Sequence, residues 1–139
     1  MGSRTQIQIK DGESVVCLYG HNVSPFVYRR LHHAMSRRLR WDDAPYLGRI
    51  IWDSFCPIAG GELGYGIGGS AMMDQDDLDN MAVVDVENKE IFLHQIEVGK
   101  LRCFAVYSFS DFAKLNPDDQ TKFGWAIWKL VGQYELGEK

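Results

Sequence analysis

Two helix-period runs, back to back and bracketed by strand-period runs, constrain this chain more than any other feature in it. In the first, Val27, Leu31, Ala34 and Met35 recur at helical spacing and predict a helix over residues 25–40. Ser24 stands ready as its N-cap, and Pro25 suits the first helical position, where a missing N–H costs nothing. In the second, Tyr46, Leu47, Ile50, Ile51 and Phe55 predict a helix over residues 44–57. Asp43 is its cap, with Asp42 beside it at the positive end of the helix dipole. The two stripes, joined at Trp41-Asp42-Asp43, read as an αα-hairpin that buries Val27, Leu31, Ile50 and Ile51.

The flanks alternate with period two. Residues 6–9 (Gln-Ile-Gln-Ile) precede an Asp11-Gly12 turn, and residues 15–19 follow it, a β-hairpin signal. Downstream, residues 81–86 form a strand, Glu87-Asn88-Lys89 a turn, residues 90–94 the returning strand, and residues 101–109 another. Ser110 is placed to cap a short helix through Phe112 and Leu115. Asn116-Pro117-Asp118-Asp119 then starts a last helix that runs to about Tyr134. Hairpin-like connections favour an α+β fold over a doubly wound parallel one. The expected architecture is a small antiparallel sheet with the αα-hairpin packed on one face and a C-terminal helix. At 139 residues the chain reads as a single domain, 1–139.

Charge is segregated within the first helix. Arg29, Arg30, His33, Arg37 and Arg40 fall within an arc of about 100°, with no acid between Arg29 and Arg40. Together with His21 and Trp41 they form the candidate surface for an anion or an acidic partner. A solvated face is the plainer account of the same residues. Arg38 points to the apolar side, where it snorkels or pairs with an acid. A formal net charge of −4 argues against nonspecific nucleic-acid binding as the main task. A helix-turn-helix reader is poorly served, because the second helix offers Arg49 against Asp53 and is otherwise apolar.

Other motifs fare worse on inspection. Gly64-Tyr65-Gly66-Ile67-Gly68-Gly69 fits G-x-G-x-x-G, but a helix precedes it where a strand is required and an acidic run follows. A mobile glycine loop is the better reading. Asp74, Asp76, Asp77 and Asp79 resemble a calcium loop without its central Gly and its bidentate Glu, so they read as an acidic surface. His21 beside Ser24, with Asp42 or Asp43 near, is the local set from which a small hydrolase-like enzyme would be built, although Ser24 already has a capping role. His32-His33 is a poor metal pair, since adjacent side chains diverge on a helix. Cys17, Cys56 and Cys103 have no metal-type spacing and read as reduced thiols of a cytoplasmic protein, and no apolar run has transmembrane length. No cofactor and no metal is expected.

In the last helix Phe123, Ile127, Leu130 and Tyr134 form one stripe, while Trp125 and Trp128 stand well off it. A helix apolar over so wide an arc is either wrapped on two sides or presents a partner surface, for which a homodimer is the expectation.

Several of these pieces together resemble a family of short accessory proteins carried by bacteriophages and prophages. The resemblance rests on Tyr19-x-His21, Arg40-Trp41-Asp42-Asp43, Gly64-Tyr65-Gly66-Ile67, Val83-Val84-Asp85 and Ser108-Phe109-Ser110-Asp111-Phe112, and spans roughly residues 15–115. It departs after His21, where the family carries Trp and Gly and this chain has Asn22-Val23-Ser24-Pro25. The resemblance implies a mobile-element accessory role. The expected function is a non-enzymatic protein that binds a host complex, such as a defence complex, or sequesters its anionic nucleotide signal. A hydrolase-like enzyme and a nucleic-acid binder using the first helix are the alternatives.

Overall fold

The computed structural model describes residues 4–21, 27–56, 64–69 and 78–116. Strand β1 (Arg4–Asp11) and strand β2 (Ser14–His21) form a hairpin in register Ile7↔Leu18 and Ile9↔Val16. Its two-residue turn opens on Gly12 at φ 64°, the left-handed conformation that a tight hairpin needs and glycine adopts freely. Helices α1 (Val27–Ser36) and α2 (Ala44–Phe55) follow. Then come β3 (Tyr65–Gly68), β4 (Asn80–Asp85), β5 (Glu90–Glu97), β6 (Lys100–Ser108) and a short α3 (Phe109–Lys114). The strands make one six-stranded sheet in the order β3-β2-β1-β4-β5-β6.

The α+β reading holds, with one difference. Four junctions are antiparallel, but β4 lies parallel to β1 with Ile7 opposite Ala82. Hairpins alone would give an all-antiparallel sheet. Here the helical pair returns the chain to β3 beside β2, and β4 then enters on the other side of the hairpin, along the free edge of β1.

Alternation then sorts the side chains. Ile7, Ile9, Leu18, Ala82, Val84, Ile91 and Leu93 point to the helices and are buried. Val27, Leu31, Ala34 and Met35 of α1, with Leu47, Ile51 and Phe55 of α2, close on them, as the helical spacing predicts. Phe109 and Phe112 of α3 complete the core. Burying each such side chain contributes about 1.5–3 kcal/mol before conformational entropy is charged against it.

Several local expectations are corrected. The first helix ends at Ser36, not at residue 40. Its apolar stripe stops at Met35, and Arg38 and Arg40 take left-handed φ of 56° and 59° to swing α2 back over the sheet. Asp43 occupies the cap position of α2, but its side chain makes no capping hydrogen bond. Tyr46, placed in the apolar stripe by its spacing, is 52% exposed. The cap of α3 is Ser108, not Ser110: its Oγ accepts from the Asp111 N–H at 3.0 Å. Residues 65–68 form an edge strand, not a mobile loop, and the absent side chain of Gly64 lets His21 approach. The Ser24-Pro25 start, Asp74, Asp76, Asp77 and the last helix with Trp125 and Trp128 lie outside the described residues.

The β5–β6 turn stores strain. Val98 and Gly99 both have positive φ, 51° and 77°, and Val98 is 92% exposed. A β-branched residue is disfavoured there, whereas Asn is tolerated and packing loses nothing. Val98→Asn therefore raises stability by about 1 kcal/mol, read as a higher urea midpoint at unchanged slope.

His32 lies under α3, its ring edge-on to Phe112 at 5.6 Å. Burial lowers its pKa, and hydrogen bonding to the backbone of Leu115 and Ala113 offsets only part of that. Above the ordinary histidine value of 6.5 neither folded nor unfolded chain is charged at this site. Below it the unfolded chain takes up a proton that the folded chain resists, so stability falls as pH drops. The unfolding free energy decreases between about pH 7 and 5, and His32→Phe flattens that decline, as urea titrations across the range will show.

Candidate binding surface at the turn between the first two helices

The basic face divides into two parts. Arg30 turns inward: its Nη1 donates to the Phe55 carbonyl at 3.1 Å and to the Tyr65 hydroxyl at 3.0 Å, tying α1 to α2 and β3. Arg29 and His33 are exposed, with His33 Nδ1 3.2 Å from Ser54 Oγ. Because α1 stops at Ser36, Arg37 and Arg40 belong to the turn and not to a helical face.

That turn gathers a compact arginine–aromatic surface. The Arg38 guanidinium lies over the Trp41 ring at 5.3 Å, and the Arg40 guanidinium over the Tyr46 ring at 4.5 Å. Trp41 in turn packs edge-on against Phe109 at 5.6 Å, so it anchors the turn to the core more than it faces solvent. Arg37, Leu39 and Tyr46 are exposed beside these stacks. The acids nearby are partly committed. Asp42 is bound to Lys89 Nζ at 2.7 Å, and Asp43 lies 3.9 Å from Arg40. Among the described residues no salt bridge involves Arg37 or Arg38. A guanidinium stacked on a ring keeps its in-plane N–H donors available for a carboxylate or phosphate. Spacing alone could have hinted at the stacks, since Arg38 and Arg40 bracket Trp41 and Tyr46 closely. It could not show the left-handed turn that brings each ring under its arginine.

The other candidate residues are dispersed. His21 ends β2 and shares the sheet face turned away from α1 and α2 with Tyr19, whose hydroxyl is 3.4 Å from its Nδ1. It pairs with Arg4 at one end of β1, whereas Lys89, the partner of Asp42, follows the opposite end. Six residues of strand separate those ends, roughly 20 Å, so His21 and the Asp42-Asp43 pair form no catalytic set. Asp79 is used structurally: its carboxylate accepts from the Arg4 N–H at 2.8 Å, and its backbone joins β1 to β5. Asp85 accepts both Asn88 N–H and Asn88 Nδ2–H in the β4–β5 turn. Burial alone would raise its pKa, but these bonds and the Lys10 charge hold it low.

A groove of about 450 Å³ lies between α2 and the β1–β2 hairpin, walled by Ile9, Val16, Leu18, Trp52 and Ile67. Arg49 stands at its rim, engaged by Asp53 at 2.6 Å. Among the described residues no group of three His, Cys, Asp or Glu side chains could hold a metal ion. Among them, too, no helix is long and apolar enough to cross a membrane. Compared with known proteins, the chain matches no family model, no curated protein and no solved structure.

Proposed function

We propose that the protein is a non-enzymatic binding protein of the phage accessory kind, which uses the turn between α1 and α2 to dock on an acidic host component in the host cytoplasm. The observation that carries this reading is the concentration of local cost at that turn. Two non-glycine residues within three positions, Arg38 and Arg40, hold left-handed backbone. The Trp41 Nε1, in the ring beneath Arg38, is buried without a hydrogen-bond partner among the described residues. Such costs persist where a fold is selected for what it presents, and here it presents two preorganised guanidinium groups. Arginine, tyrosine and tryptophan are also the residues that dominate protein interfaces.

A protein surface is favoured over a free nucleotide because Arg37, Arg38 and Arg40 are all exposed, and the groove between α2 and the β1–β2 hairpin is lined by none of them. The test immobilises the parent and an Arg38→Gly, Arg40→Gly variant and offers each a host-cell lysate. Poly-glutamate, duplex DNA and a cyclic dinucleotide serve as defined anions. The parent should capture a protein that salt releases, and the variant should lose it. Equal capture by both would overturn the reading. Preference for DNA or the dinucleotide would move it to the corresponding anion.

A further inference from the structure

The groove beside α2 exists because the sheet reaches further than the helix that covers it. Val16 of β2 and Ile67 of β3 stand on the helix-facing side, paired in register with the core residues Ile9 and Leu18. They are nevertheless 42% and 58% exposed. Val16, Leu18 and Ile67 line the groove from the sheet, and Pro45, Gly48 and Trp52 line it from α2. The Trp52 ring is fixed at its place by Phe55 and Tyr65, each at 6.2 Å, so this part of the wall is preformed.

Gly48 shows that the space is kept open. It lies in the interior of α2, where glycine weakens a helix relative to alanine. Packing does not demand it. A Cβ added there would meet only the Ile9 Cδ1, at 3.5 Å, an ordinary contact. The helix therefore gives up stability at a position where a side chain would fill the groove. A volume of about 450 Å³ lies within the range of small-molecule sites.

Two charged residues line the groove, Arg49 and Asp11. Arg49 already holds a carboxylate, that of Asp53, with Nη1 2.6 Å from Oδ2. Both side chains are more than half exposed, so the pair contributes little and exchanges readily. A ligand carboxylate delivered by an apolar body gains the same charge-assisted bonds together with burial of that body. Arg49 is the one cation of the lining, and Asp11 repels further negative charge, which suits a single carboxylate and not a phosphate dianion. Ala44 and Trp52, both in the wall, are eight residues apart, about 12 Å of helix, the length of a medium-chain acyl group. We propose that this groove is a binding site for an amphiphilic monocarboxylate, its head on Arg49 and its chain against Val16, Ile67 and Trp52. The site goes beyond the docking reading, since Arg38 and Arg40 take no part in it.

The test titrates the full chain calorimetrically with sodium decanoate, decanol and decyltrimethylammonium, each below its micelle concentration. Decanoate should bind at one per chain, and the neutral and cationic heads about tenfold more weakly or worse. Arg49→Gln should weaken decanoate by about tenfold and leave decanol unchanged. Gly48→Leu fills the groove and should abolish decanoate binding while the urea midpoint holds or rises. Ile67→Asp, at an exposed position, should weaken the chain contact in a protein that stays folded. No binding of decanoate would overturn the proposal. Equal affinity for the three heads, or indifference to Arg49→Gln, would overturn the carboxylate assignment. Binding that survives both Gly48→Leu and Ile67→Asp would place the ligand elsewhere and overturn the site.

Discussion

Phe55→Ala lowers the unfolding free energy by about 3–5 kcal/mol, the range for emptying a fully buried aromatic site. Phe55 is wholly buried at the last turn of α2. Its ring meets Tyr65 at 5.5 Å and Trp52 at 6.2 Å, and its carbonyl accepts from Arg30. Removing the ring therefore loosens three elements at once, α2, β3 and the Arg30 tie from α1. A domain of this size has about 5–15 kcal/mol in total, so the variant sits near its folding limit. Urea titration checks it, with Tyr46→Ala as the exposed comparison expected to change little. A loss below about 1 kcal/mol for Phe55→Ala would mean that the end of α2 is not part of the cooperative core.

Arg38→Gly with Arg40→Gly separates binding from folding. Glycine adopts φ near 56° and 59° without strain, which offsets the lost ring contacts and the greater freedom of the unfolded chain. Exposed charges contribute little, so stability should stay within about 1 kcal/mol of the parent. Partner affinity should fall by about tenfold or more per arginine, the range of interface arginines that act as hot spots. Arg38→Lys with Arg40→Lys keeps both charges but removes the planar fork, and it should recover only part of the affinity. Full recovery by lysine would make the surface a diffuse positive field and not a site of directed hydrogen bonds.

Much of the candidate surface was legible as residues but not as geometry. Arg37 and Arg40 were found from charge segregation, which depends on sequence alone. The helical arc assigned to them failed because α1 ends four residues before Arg40. Arg30 shares their charge and spacing, yet it is spent on the Phe55 carbonyl and the Tyr65 hydroxyl. Tyr46 fitted an apolar stripe by period and lies instead on the outer side of α2, where Arg40 stacks on it.

What the sequence determined by itself is what periodicity can encode: the β1–β2 hairpin, the apolar stripes of α1 and α2, and the β4–β5 pair. Each depends on residues close together in the chain, and burying one face of such an element requires its apolar residues at that spacing. Tertiary structure alone decided the parallel pairing of β4 with β1, the recruitment of a glycine run as the edge strand β3, and the left-handed turn at Arg38 and Arg40. These depend on contacts between elements distant in sequence. A strand takes whichever open edge the packed helices leave it, and a turn takes whatever backbone conformation lets α2 return to the sheet.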